Sequence, residues 1–245
     1  MPLSSRKRFL LVTVLLAGIF VGLGWFLHLF PEPIGSRSGL LASAARTTFW
    51  LTLSVGALGL PLGILAGVAR HSRKPLARWP ASFYIWLFRG TPALTQILFA
   101  YYALPALVPW LKLDEFWAAF LALGLNVGAY NAEAVRSGLT AIPAAQTEVG
   151  HCLGLSRFQI FRFVVFPQAF RVALPSLTNN LVSLLKDSSL ASAIGLVELT
   201  LAGSRISSET FQPAPVLGII AVIYLVLTSV LTLFLWGWRG EEVKS

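Results

Sequence analysis

Residues Ala141–Asp187 read AIPAAQTEVGHCLGLSRFQIFRFVVFPQAFRVALPSLTNNLVSLLKD, a stretch too polar to cross a bilayer alone yet set among long apolar runs. Its first half spells two short helices joined by a tight corner. Pro143 suits the first turn of a helix, where a missing N–H costs nothing. That helix carries Ala144, Ala145, Glu148 and Leu153, and Gly154 is placed to end it in a left-handed C-cap. Ser156 opens the second helix with Gln159 at capping-box spacing, and Leu155 and Ile160 are spaced as a hydrophobic staple. Pro167 is expected to stop or kink this helix and to begin the next apolar run. On pattern alone, the elbow either lies on the membrane surface or docks another protein.

Outside this stretch the composition is that of a membrane protein. The chain has 245 residues, 56% of them hydrophobic and 12% charged, with a mean hydropathy of +0.74. Several uncharged runs approach the length that crosses about 30 Å of hydrocarbon. The fold class expected is an all-α polytopic membrane protein of about six transmembrane helices, with the elbow between two of them. A net charge of +9 suggests nucleic acid in a soluble protein. In a membrane protein, basic residues collected in cytoplasmic loops explain it, and no nucleic-acid partner is expected. The single cysteine, Cys152, allows no internal disulfide and no metal cluster. It is expected to be a small buried residue.

The expected spans are Phe9–Phe30, Thr47–Ala69, Trp79–Leu107, Phe116–Leu139, Pro167–Leu185 and Val216–Trp238. A cleaved signal peptide competes for the first, but the run is long and no small-x-small site precedes Pro31. Pro31–Ala45 is expected to be a connector. His28 reads as an interfacial residue without a partner. In the second span, Gly56, Gly59, Gly63 and Gly67 fall on one helical face and favour close helix packing. In the third, Gly90 and Pro92 predict a local break beside Arg89, which either snorkels to the interface or faces the protein.

The fourth span is the most polar. Asn126, Tyr130, Glu133 and Ser137 share one stripe of the helix. Glu133 is either a functional carboxylate or the structural partner of Arg136, three residues on. In the fifth span, Thr178, Asn179 and Asn180 are expected to face protein or a water-filled cavity. Ser188–Pro215 reads as outer-facing or re-entrant helical pieces buried in protein.

Charge sets the orientation. With six spans, thirteen Lys and Arg residues fall on the side of the termini and the elbow, against five on the other. This places both termini and the elbow in the cytoplasm. No phosphate-cradling G-x-x-x-x-G-K-[ST] loop, H-E-x-x-H zinc motif or serine triad is present, so no catalytic residues and no metal site are assigned. The function classes left are a subunit of an ATP-driven importer, a secondary ion-coupled transporter of a small polar solute using Glu133, and a structural anchor.

Several motifs in order narrow these. Glu148, Gly154 six residues later and Phe166-Pro167 after another twelve resemble the EAA loop of ATP-binding cassette importer permeases. GLSRFQIFRFVVFPQAFRVALPSLTNNLVSLLKDSSLASAIGLVEL, with YIWLFRGTPALTQILFAYYALP and NVGAYNAEAVRSGLTAIP upstream, resembles the polar amino-acid uptake subfamily. The resemblance runs from about Arg46 to Trp238. Two positions depart from it: the alanines usual after the glutamate are Val149 and Gly150, and the leucine usual before the proline is Phe166.

The resemblance implies a division into an extra span and connector (1–45), a permease domain (46–238, elbow 144–166) and a cytoplasmic tail (239–245). It implies an alternating-access permease of the bacterial cytoplasmic (inner) membrane that binds no cofactor itself, ATP and Mg belonging to the partner ATPase. The implied partners are ATPase subunits, a second identical or homologous permease, a periplasmic or tethered solute-binding protein and a polar amino acid. Ala145, Glu148, Gly154, Leu155, Ser156, Arg157 and Phe158 would couple to the ATPase. Asn126, Tyr130, Glu133, Thr178, Asn179 and Asn180 are the candidate substrate path. The FRGTP match turns Arg89 toward the interior.

Overall fold

In the computed structural model, helices account for all the regular structure among the described residues, which are 22–242 with Val14 and Gly18 ahead of them; side chains are described through Leu235. The expected first span therefore falls mostly outside the described residues, as do the side chains of Trp236 and Trp238 and the end of the tail.

Helix α1 (Ser38–His71) absorbs the second apolar run and starts within the expected connector. The Gly and Ser residues there suggested a loop, but Leu41, Ala42, Ala44 and Ala45 are buried, and packing outweighs propensity. Helix α2 (Pro75–Gly90) begins on a proline and ends where Thr91 and Pro92 turn extended. This is the break that Gly90 and Pro92 predicted. Helix α3 (Ala93–Leu98) passes through a π-helical turn (Phe99–Ala103) into α4 (Leu104–Leu107). Helix α5 (Glu115–Thr140) is N-capped by Asp114, whose carboxylate accepts from the Trp117 N–H at 2.8 Å.

The elbow follows as α6 (Ala144–Cys152) and α7 (Arg157–Gln159). A π-helical segment, Ile160–Val165, then leads without interruption into α8 (Phe166–Asp187). Of the two expected outcomes, a stop or a kink, the stop does not occur: Pro167 sits in the first turn of α8, directly after the π-helical segment. The widened turn just before it accommodates a ring that cannot donate to the carbonyl four residues back. A 3-10 turn (Ser188–Ile194), α9 (Leu199–Thr210) and α10 (Pro213–Glu242) complete the chain.

Three helical stretches, Gly35–His71, Arg157–Ile194 and Pro213–Leu235, are long and apolar enough to cross a membrane, and Ala93–Leu107 is a shorter apolar one. Helix α5, at 26 residues, is also long enough at about 1.5 Å per residue; its polar stripe lowers its hydropathy. The protein is an all-α polytopic membrane protein.

Packing centres on the crossing of α1 and α5. A Cβ added to Gly67 would come within 2.6 Å of the Ala132 carbonyl, and one on Gly63 would overlap Asn131. Small residues at helical spacing thus bring two backbones together, as the glycine ladder predicted. Gly56 belongs to the same ladder but faces Leu181 of α8.

The Ser188–Pro215 region is anchored at Glu198, which is fully buried. Its carboxylate caps α9 by accepting from the N–H groups of Leu201 (2.8 Å) and Thr200 (2.9 Å), and from the Tyr224 hydroxyl of α10 (2.7 Å). Thr48 of α1 accepts from the Leu199 N–H at 3.2 Å. The region is therefore ordered helix tied to α1 and α10. Arg37, counted on the outer side, and Glu209 of this region pair at 2.8 Å. His28 does have a partner: its Nδ1 lies 3.2 Å from the Gly35 carbonyl.

Candidate functional site

The elbow is built by two capping motifs back to back. Gly154 adopts φ 76°, the left-handed region where side chains are disfavoured. Its N–H donates to His151 O at 3.0 Å, and the Leu155 N–H donates to Gly150 O at 3.1 Å. These are the two bonds of a Schellman motif. Ser156 then opens α7 with both halves of a capping box, Gln159 N–H to Ser156 Oγ at 3.3 Å and Ser156 N–H to Gln159 Oε1 at 2.8 Å. The N–H groups of Gly154, Leu155, Ser156 and Gln159 thereby all find partners within a few residues, which fixes the angle between the arms.

Ala145, Glu148, Gly154, Ser156, Arg157 and Phe158 are exposed and Leu155 is half-buried, while Gly150 and Ile160 are buried. Ile160 packs against Gly150, and that contact closes the elbow. Cys152 is exposed, which corrects the expected burial: it lies on the outward side of α6 rather than against Ile160.

Within the helix bundle lies a cavity of about 450 Å³, walled in part by Arg89, Asn126, Tyr130, Asn180, Ser183 and Asp187. The Thr91–Pro92 break lets α2 and α3 approach it. Its two asparagines have fixed polarity. Asn126 Nδ2 donates to Phe88 O at 3.0 Å and to Gln96 Oε1 at 3.1 Å. Asn131 Nδ2 donates to Gly59 O at 3.2 Å, and its Oδ1 accepts from Asn180 Nδ2 at 2.9 Å. Backbone carbonyls can only accept, so both chains point one way. The side-chain oxygens of Asn126 and Asn180 remain uncommitted among the described residues.

Of the six candidate path residues, the structure brings Asn126, Tyr130 and Asn180 to this cavity. Thr178 is buried and donates to its own helix at Leu174 O, and Asn179 is exposed outside the cavity. Three consecutive helical residues point about 100° apart and cannot share a wall. Glu133 does not line the cavity either. Its Oε2 accepts from Arg70 at 2.7 Å, and its Oε1 accepts from Arg136 Nε at 3.0 Å. Arg89 Nη1 lies 3.7 Å from Oε2. The expected Glu133–Arg136 pair is present, and Arg70 joins it. Ser183 and Asp187, the last residue of α8, also line the cavity, and nothing in the sequence singled them out. Arg89 lines the cavity, on the interior side that the FRGTP resemblance implied.

An all-helical membrane protein with an exposed, doubly capped elbow and a polar cavity is the class that fold and site define. The family described as binding-protein-dependent transport system inner membrane component matches residues 59–238. The glutamine transport system permease protein GlnP of Escherichia coli (strain K12) is 39% identical over 196 residues, covering 80% of this chain and 90% of that protein. The L-cystine transport system permease protein TcyB of Bacillus subtilis (strain 168) is 35% identical, covering 79% and 82%. A crystal structure of an amino acid ABC transporter with histidines superposes with a TM-score of 0.77 at 32% identity, covering 84% of this chain and 95% of that one. An inward-facing MetNI methionine ABC transporter shares the fold, with a TM-score of 0.73 at 21% identity over 88% of this chain.

The chain belongs to the family of binding-protein-dependent transport system inner membrane components. It is the non-catalytic membrane subunit of an ATP-driven importer, whose ATPase is a separate subunit. This sets aside the self-sufficient secondary transporter.

Proposed function

We propose that this chain forms, with a second identical or homologous permease, the alternating-access path for a polar amino acid through the bacterial inner membrane, with both termini in the cytoplasm. A solute-binding protein delivers the amino acid from outside. The exposed elbow sits in a groove on the ATPase, with Glu148, Arg157 and Phe158 presented to it. Val149, Leu153 and Phe158 are exposed apolar side chains there, as a docking surface requires. ATP binding draws the two elbows together, and a corner held by a Schellman motif and a capping box passes that displacement to α5 and α8 instead of absorbing it.

The observation that carries the substrate reading is the cavity, whose walls include one cation, Arg89, and one carboxylate, Asp187. Those are the complements of a zwitterion's carboxylate and ammonium, and the free oxygens of Asn126 and Asn180 add hydrogen-bond acceptors. The relatives named for glutamine and L-cystine transport support an amino-acid cargo. The test is uptake in proteoliposomes containing the assembled transporter. Asn126→Leu should reduce uptake more than it reduces binding-protein-stimulated ATP hydrolysis, because passage is impaired while coupling is kept. Equal uptake by variant and wild type would overturn the cavity's role.

A further inference from the structure

Glu133 is the carboxylate on which α1, α2 and α5 converge, and its surroundings are inconsistent with direct substrate contact. Both of its oxygens are already taken by guanidinium donors, from Arg70 on one side and Arg136 on the other. Arg89 is held differently. Its guanidinium carbon lies 5.2 Å from the centre of the Tyr130 ring, and its Nη1 lies 3.7 Å from Glu133. Tyr130 and Glu133 are three residues apart on α5, so one helix face offers Arg89 a ring and a carboxylate a turn apart. A 3.7 Å separation is beyond hydrogen-bond range. Glu133 therefore attracts Arg89 without consuming its N–H donors.

The charges do not balance. Arg70, Arg89 and Arg136 surround one carboxylate, and of the three arginines only Arg89 lines the cavity. Its free fork of donors matches a carboxylate with two parallel hydrogen bonds. We propose that Glu133 is a positioning residue: through its attraction for Arg89, and with the Tyr130 ring, it aims the Arg89 guanidinium into the cavity to receive the α-carboxylate of the transported amino acid. Arg70 and Arg136 hold Glu133 in place. With Glu133 neutral, three guanidinium groups repel one another and Arg89 leaves the cavity wall. This inference rests on the cavity's being the substrate site.

The test uses the assembled permease–ATPase complex in nanodiscs, without binding protein. The twenty proteinogenic amino acids are screened by calorimetry, and the tightest ligand is compared with its own carboxamide, which keeps the ammonium and side chain but lacks the negative charge. The readout is the ratio of the two dissociation constants. Glu133→Gln should weaken the free acid about tenfold or more, as loss of an aligned charge pair does, and leave the carboxamide nearly unchanged. Arg89→Gln should do the same, and the double variant should be no worse than either single one. A purely structural ion cluster would lower thermal stability and leave the acid-to-amide ratio at the wild-type value, which overturns the proposal. Glu133→Asp, which keeps the charge but shortens its reach, serves as the second variant if Glu133→Gln does not assemble, and an unchanged ratio there has the same meaning. If no amino acid binds the wild type, the cavity reading and this inference both fall. Binding with an unaltered ratio removes this inference alone.

Discussion

Ile160 closes the elbow on Gly150: a Cβ on that glycine would lie 2.7 Å from Ile160 Cγ1. The departure from the alanine usual in this motif is thus matched by a branched side chain on the opposite arm. Gly150→Val would push Ile160 out of its buried position and open the angle between α6 and the helix that continues into α8. Overpacking of this kind costs about 1–3 kcal/mol. The expected outcome is normal membrane insertion with strongly reduced uptake and stimulated ATP hydrolysis. Normal values of both would show that the corner's angle is not what the ATPase reads.

Gly154→Val attacks the same corner through the backbone. Nothing lies within 4 Å of a Cβ there, so crowding is not the problem. At φ 76° a β-branched residue costs about 1–2 kcal/mol. Coupling should fall while insertion persists. Gly154→Asn, which tolerates this conformation, should retain most of it. If the two variants behaved alike, the left-handed cap would not be the cause.

The glycine ladder predicts a graded stability pattern. Gly67→Ala places a methyl group against the Ala132 carbonyl and should lower thermal stability by about 1–3 kcal/mol. Gly218→Ala in α10 meets nothing within 4 Å and should be neutral or gain up to about 1 kcal/mol from helix propensity. Thermal denaturation of the two variants in detergent measures the difference directly.

The ladder and the elbow were legible in the sequence because both are local: spacing names the face, and Gly154, Ser156 and Gln159 name the caps. The same logic failed where contacts are long-range. Nothing in the sequence ties Arg70 to Glu133, 63 positions apart, so the carboxylate read as either a functional group or the partner of Arg136 alone. Thr178, Asn179 and Asn180 looked like one polar wall because adjacency in sequence was taken for adjacency in space. Pro167 looked like a stop or a kink because a π-helical turn that accommodates proline has no sequence mark. Asp187 does end α8, but its place in a cavity assembled from α5, α8 and the Arg89–Ala93 turn together has no mark in the sequence.

Glu198 gives a stability prediction away from the cavity. Its buried carboxylate receives two backbone N–H groups and the Tyr224 hydroxyl. Glu198→Gln keeps the shape but turns an NH2 group toward donors, leaving at least one of them unsatisfied. Hydrogen bonds to a charged group are each worth about 1.5–3 kcal/mol. Glu198→Gln should therefore be markedly less stable, and Tyr224→Phe less affected, since it removes one bond of three. An equally stable Glu198→Gln protein would mean that the carboxylate carries no net weight at this cap.

Sidedness can be read by labelling with a membrane-impermeant thiol reagent. Cys152 is exposed on the elbow, so the background must be Cys152→Ser. Ser72→Cys, in the basic loop between α1 and α2, should react only from the cytoplasmic side. Ser36→Cys, just before α1, should react only from outside. The opposite pattern would reverse the orientation drawn from the distribution of Lys and Arg.

The last prediction concerns the relay from Gly59 to the cavity. Asn131 is almost fully buried; it donates to Gly59 O and accepts from Asn180, which lines the cavity. Because the backbone carbonyl fixes the polarity, Asn131 holds the Asn180 amide so that its oxygen is left uncommitted, as the proposed substrate site requires. Asn180→Ala removes the cavity contact and strands the Asn131 Oδ1 but leaves the bond to Gly59 O, so uptake should fall with a smaller stability loss than Asn131→Ala brings. Asn131→Ala removes the buried partner of both groups and should lower both, with a stability cost of about 1–3 kcal/mol for the unsatisfied donor. In the double variant no donor is left stranded, so the stability loss should be smaller than the sum of the single losses. A double-mutant cycle on melting temperature and initial uptake rate measures both terms. Strict additivity in both would mean that the two asparagines act independently and that no relay links the helix crossing to the cavity.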